Sequence, residues 1–87
     1  MAEFLVELYV SGSDAGAVSH RADRAGLAAQ RMRQDGTSIR YLRSIFVPDD
    51  ETCFLVYEAN SANDVRRAAR LAGLPVDHIA EMLETDA

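Results

Sequence analysis

Hydrophobic and polar residues alternate from the start of the chain. Phe4, Val6, Leu8 and Val10 interleave with Glu3, Leu5, Glu7 and Tyr9. A period of two predicts a strand over residues 3–10. Ser11-Gly12-Ser13-Asp14 follows, with turn-forming and helix-capping side chains. The period then lengthens. Val18, Ala22, Ala25, Ala29 and Met32 recur at alternating spacings of four and three, which stacks them on one face of a helix over residues 15 to about 34. These side chains are mostly small, so the helix can lie close to a sheet. His20, Asp23, Leu27 and Arg31 fall on the opposite face, and Asp35-Gly36 ends the helix.

Residues 38–47 and 51–59 read as two further strands. Pro48-Asp49-Asp50 is a turn that pairs them as a hairpin. Asn60-Ser61 opens a second helix, where Ser61 and Asp64 resemble a capping box with Asp in place of Glu. Val65, Ala68, Ala69 and Ala72 form its apolar stripe, and Arg66, Arg67 and Arg70 point outward. Gly73 and then Leu74-Pro75 stop it. Residues 76–84 fit two patterns. Ile79, Met82 and Leu83 match a helical face, which local propensity favours; Ile79, Glu81 and Leu83 match one face of a strand. The strand reading, in which tertiary context overrides propensity, completes the order strand, helix, strand, strand, helix, strand. That is the ferredoxin-like split βαβ pattern: an α+β domain over residues 1–87, with two helices on one face of a four-stranded antiparallel sheet.

Such a sheet needs one apolar face, yet both of its faces are rich in apolar residues. If Phe4, Val6, Leu8, Phe54 and Val56 face the helices, the far face holds Leu5, Glu7, Tyr9, Cys53, Leu55 and Tyr57, with Tyr41, Arg43 and Ile45 added from the second strand. A patch of that size on a monomer is unusual. Two copies packing these faces together would bury it, so the expectation is a homodimer with facing sheets. A pocket between the sheets would place Glu7, Tyr9, Tyr41, Arg43 and Tyr57 as the few polar groups in an apolar cavity, and these are the candidate ligand-binding residues. Their plainer role is to satisfy one another as an interior ion pair and hydrogen bonds.

Composition narrows the function classes. Fourteen acidic residues against nine basic ones give a net charge of −5, which disfavours general binding of nucleic-acid backbones. Every basic residue is Arg, so no lysine chemistry is open to the chain. A single cysteine, Cys53, makes no internal disulfide and fits a reducing, cytoplasmic setting. The first ten residues carry no signal-peptide pattern, and no apolar run is long enough for a membrane span.

Three stretches carry a family resemblance: Arg40-Tyr41-Leu42-Arg43-Ser44; Glu51-Thr52-Cys53-Phe54 leading to Tyr57-Glu58-Ala59; and Ala72-Gly73-Leu74-Pro75-Val76-Asp77-His78-Ile79. Together they resemble a widespread bacterial family of unknown function, some members of which are described as nickel-responsive or nickel-binding. The resemblance implies a ferredoxin-like fold, a dimer with facing sheets, and nickel at or near the subunit interface. Metal-binding members tend to carry His near the end of the first strand, where this chain has Leu8-Tyr9-Val10.

Nickel and its neighbours bind imidazole, thiolate and carboxylate. His78, beside Asp77 before the last strand, is the metal candidate; His20 sits on the outward face of the first helix, and Cys53 reads as a buried small residue. The leading expectation is a small dimeric ligand- or metal-binding protein. The alternative is a cofactor-free enzyme, of isomerase or cyclase type, with Glu7 as general base and Arg43 or a tyrosine stabilising an oxyanion. No Ser/His/Asp set, phosphate loop or dinucleotide fingerprint is present. The third class, a partner-binding module, rests on the Arg66, Arg67 and Arg70 edge of the second helix.

Overall fold

In the computed structural model, which describes residues 1–85, the alternating segment at the start becomes strand β1 (Ala2–Tyr9). Helix α1 (Ala15–Gln34) follows, and its first turn is capped by Asp14, whose carboxylate accepts from the Ala17 amide at 3.2 Å. Strands β2 (Ile39–Val47) and β3 (Thr52–Ala59) form the expected hairpin around a short 3-10 turn, Pro48–Asp50. Helix α2 (Ala62–Leu71) is capped by Ser61, whose hydroxyl accepts from the Asp64 amide at 3.2 Å. Only this half of the capping box forms; the Asp64 carboxylate instead pairs with Arg67 at 3.3 Å. The ambiguous tail is strand β4 (Val76–Met82). Pairing with β1 overrides its helical propensity, since an edge of the sheet offers a full ladder of hydrogen bonds.

The four strands form one antiparallel sheet in the order β2-β3-β1-β4. Both helices pack on the same face. Ala25, Ala28, Ala29 and Met32 of α1 and Val65, Ala68 and Ala69 of α2 share one core with Phe4, Val6 and Leu8 of β1. Five of the seven buried helix residues are alanine, so the helix backbones sit close to the sheet and large side chains of the strands fill the layer between. Gly73, in the left-handed region at φ 66°, turns the chain out of α2, and the Leu74 amide returns to the Ala69 carbonyl at 3.0 Å.

The register corrects the expected division of β3. Phe4, Val6 and Leu8 stand opposite Tyr57, Leu55 and Cys53. Directly opposed residues share a face of the sheet, so Cys53, Leu55 and Tyr57 point to the helices, and Phe54 and Val56 point away. The Tyr57 ring is fully buried, and its hydroxyl donates to the Ala25 carbonyl of α1 at 3.1 Å. Tyr41 is corrected in the same way. It stands opposite Tyr57 and meets it edge-on, with ring centroids 5.7 Å apart. A bulge between Tyr41 and Arg43 then breaks the alternation, leaving Arg43 opposite Val56 on the far face.

The loop after β1 is held by the start of β3. Glu51 adopts φ 50°; its carboxylate accepts from the Gly12 amide at 2.9 Å and from the Tyr9 hydroxyl at 3.2 Å, and its carbonyl accepts from the Val10 amide at 3.1 Å. Gly12 passes so close to the turn that a Cβ would stand 2.7 Å from the Pro48 carbonyl oxygen. At Gly26, inside α1, a Cβ would make only ordinary contact, 3.7 Å from the Tyr41 ring.

Three outcomes follow for stability. Gly12→Ala lowers the urea midpoint by an amount equivalent to about 1–3 kcal/mol, because a backbone oxygen must move. Gly26→Ala raises it by up to about 1 kcal/mol through helix propensity. Tyr57→Phe loses about 1 kcal/mol near neutral pH with its hydrogen bond. Burial raises the Tyr57 hydroxyl well above its ordinary value. The folded-state pKa therefore exceeds the unfolded one, and the stability tied to this group is complete below about pH 10 and is lost as pH climbs beyond it. Urea unfolding of both proteins across that range is expected to show a shallower alkaline decline for Tyr57→Phe.

Candidate functional site

The face of the sheet turned away from the helices is the candidate site. No described helix covers it. Leu5 lies at its centre, between Val56 of β3 and Ala80 of β4. Phe54 and Ile45 stand opposite one another toward one end, and Met82 lies opposite Glu3 at the other. Val56, on a central strand, is fully buried even here, whereas Ile45 is 43% exposed. The surface is thus an apolar strip with polar groups set into it at defined places.

The most distinctive of these is Glu7. It stands opposite Phe54 on one side and opposite His78 on the other. A carboxylate and an imidazole therefore share adjacent positions across β1 and β4. A bulge immediately after this pair, where Leu8 aligns with Val76, takes Asp77 out of the ladder. The two side chains of the pair make no ion pair or hydrogen bond with each other within the single chain. His78 is exposed and Glu7 half-buried.

Charged groups rim the strip. Arg43 pairs with Glu3 at 3.9 Å, spanning β3, and Arg40 pairs with Glu58 at 3.8 Å. Both pairs are partly exposed and contribute little to stability. Tyr9 is 58% exposed at the far end of β1, with its hydroxyl on Glu51.

Of the residues expected to line a site, Glu7, Tyr9, Arg43 and His78 share this face. Tyr41 and Tyr57 lie on the helix side, where burial pushes both hydroxyls up; for Tyr41 a hydrogen bond with Ser44 acts in the opposite direction. Cys53 is fully buried beneath the helices, and burial raises its thiol. His20 is exposed on α1, on the other side of the sheet. Phe54, Val56, Ala80 and Met82 were missed as members of the face. The alternation within β3 held no signal for Phe54 and Val56, because both of its faces are apolar, and Ala80 and Met82 lie in the tail, whose pattern also fitted a helix. Among the described residues, no group of three or more His, Cys, Asp and Glu side chains is placed to hold a metal within one chain. No helix among them is long and apolar enough to cross a membrane.

Comparison with known proteins agrees with this architecture. The fold matches the crystal structure of SCO4226 from Streptomyces coelicolor A3(2) with a TM-score of 0.72, over 97% of this chain and 99% of the other, at 24% sequence identity. At that identity the likeness establishes the fold. No curated protein gives a significant match. Residues 27–82, which run from within α1 to the end of β4 and include Arg43 and His78, match the family model described as nickel responsive protein SCO4226-like. The chain belongs to this SCO4226-like family of nickel responsive proteins.

Proposed function

We propose that the protein is a metal-binding homodimer closed through its open sheet faces, with Glu7 and His78 of both copies as donors to nickel. The observation that carries this reading is the cross-strand pairing of Glu7 with His78 on the largely apolar face that the helices leave open. A chain of 87 residues gains from covering that face. A second copy covers it with the same surface, as a two-fold dimer requires.

The donor chemistry fits the group in kind and falls short in number. Imidazole and carboxylate are suitable ligands for nickel, yet one chain offers only one of each at this place. Two copies supply four such groups in an interior that excludes water. The metal supplies charge that draws the donors together. The protein's own part is to hold the backbone of Glu7 and His78 at adjacent positions on β1 and β4, which sets the spacing of the two donors. The Glu3–Arg43 pair at the rim leaves Glu7 without a guanidinium partner and so available as a ligand.

Two measurements test this. In sedimentation equilibrium the wild-type chain is expected to be a dimer, and Ile45→Glu, which places a charge on the exposed part of the face, a folded monomer. A wild-type monomer at micromolar concentration would sink the facing-sheet reading. Nickel in about hundredfold excess over its dissociation constant is expected to stabilise the dimer by about 2.7 kcal/mol, a rise of roughly 10 °C or more in Tm for a domain of this size. His78→Ala is expected to abolish the rise and Glu7→Gln to reduce it, with binding weakening on acidification as protons compete for the ligands. An unchanged nickel response in both variants would exclude this pair as the site.

A further inference from the structure

Charge is divided unevenly between the two layers of the molecule. Seven of the nine arginines lie on α1 and α2, where Asp23 and Asp64 are the only acidic residues. The chain as a whole carries −5. The helix layer is therefore a positive surface on an acidic protein, and it faces away from the sheet surface assigned to the dimer.

This layer also has an apolar feature that its own fold does not use. Between α1 and α2 runs a groove of about 520 Å³, with Leu27 and Arg31 on one bank and Leu71 on the other. A shallow hollow continues from Leu71 over Arg67 and Arg70. Leu27 is 61% exposed and Leu71 51% exposed, although both sit on helices whose buried faces are complete without them. The groove floor is held in shape. Arg24 of α1 donates to the Gly73 carbonyl, just beyond the end of α2, at 3.0 Å. Arg67 is engaged with Asp64, whereas Arg31 and Arg70 have no ion-pair partner among the described residues.

We propose that this groove is a docking site for an acidic segment of another protein, with an apolar side chain of that segment seated between Leu27 and Leu71 and its carboxylates on Arg31 and Arg70. Charge complementarity selects the occupant. Free guanidinium groups pair with carboxylates in a two-pronged geometry, and arginine beside a desolvated pocket is among the features that carry most of the binding energy of a protein interface. Nucleic acid is a poorer fit. All six aromatic residues lie in the strands, so the helix layer has none on which a base can stack. A long polyanion also meets the net negative charge of the chain, whereas a short segment feels mainly the local field, within about 8–10 Å at moderate salt.

The test is fluorescence anisotropy of the full chain with a set of fluorescein-labelled peptides composed of Glu, Asp, Leu and Ala in different spacings. At least one is expected to bind saturably. Its affinity is expected to fall about tenfold or more with Arg31→Glu plus Arg70→Glu, and similarly with Leu27→Ser plus Leu71→Ser. Added salt is expected to weaken binding. Circular dichroism checks that these surface variants keep the fold. Glu7→Gln, on the other face of the sheet, is expected to bind the peptide as the wild type does, which separates this site from the open sheet face. Absence of saturable binding by any peptide overturns the proposal. So does binding indifferent to both double variants, or equal affinity for a labelled single-stranded oligonucleotide.

Discussion

The antiparallel pairing of β1 with β3 is the constraint on which the remaining structure depends. These are the two central strands, and their register sets Phe4 against Tyr57, Val6 against Leu55 and Leu8 against Cys53. Slipping it by one residue would turn every side chain of β3 to the opposite face. The register is held by more than the ladder. The Tyr57 hydroxyl reaches the Ala25 carbonyl, which ties the central strand to α1, and the Glu51 carboxylate gathers the Gly12 amide and the Tyr9 hydroxyl at the end of the pair. With the register set, the small inward residues of α1 and α2 have large strand side chains to pack against, and the second face of the sheet is left to do something else.

The two outer surfaces that result differ in chemistry. The sheet surface is an apolar strip with a carboxylate and an imidazole set side by side on β1 and β4. The helix surface is rich in arginine, with two exposed leucines along the groove between α1 and α2. The core lies between them, and they approach one another at the β4 edge, where His78 and Arg70 line one hollow. A dimer closed through the sheets would present two helix surfaces outward. The same geometry keeps Cys53 and Tyr57 out of any surface chemistry, since both are enclosed beneath the helices.

Much of this was legible in the order of residues. The capping residues Asp14 and Ser61, the terminating Gly73 and the shift in period from two to between three and four located both helices to within a few residues. The Pro48-Asp49-Asp50 turn announced the hairpin. Glu7, Tyr9, Arg43 and His78 were all identifiable as polar groups interrupting apolar stretches or standing at a strand start, and all four lie on the open face. What misled was β3. Its alternation separates Cys53, Leu55 and Tyr57 from Phe54 and Val56, and either set is apolar enough to be core, so periodicity identifies the two groups without saying which is inside. In β2 the bulge beyond Tyr41 breaks the alternation, and no Gly or Pro marks the place.

The sequence by itself determined the elements, their order and the presence of a surplus apolar face, because these follow from local periodicity, capping and turn chemistry, which act within a few residues. Tertiary structure alone decided which face of β3 is inside, that the tail is a strand, and that Glu7 stands opposite His78. Each of these depends on pairing between segments far apart in the chain: β4 gains its hydrogen bonds only at the edge of β1, and Tyr57 finds its acceptor only on α1. Long-range partners of this kind leave no periodic trace in the residues they align, so these pairings become visible only when the strands are set side by side.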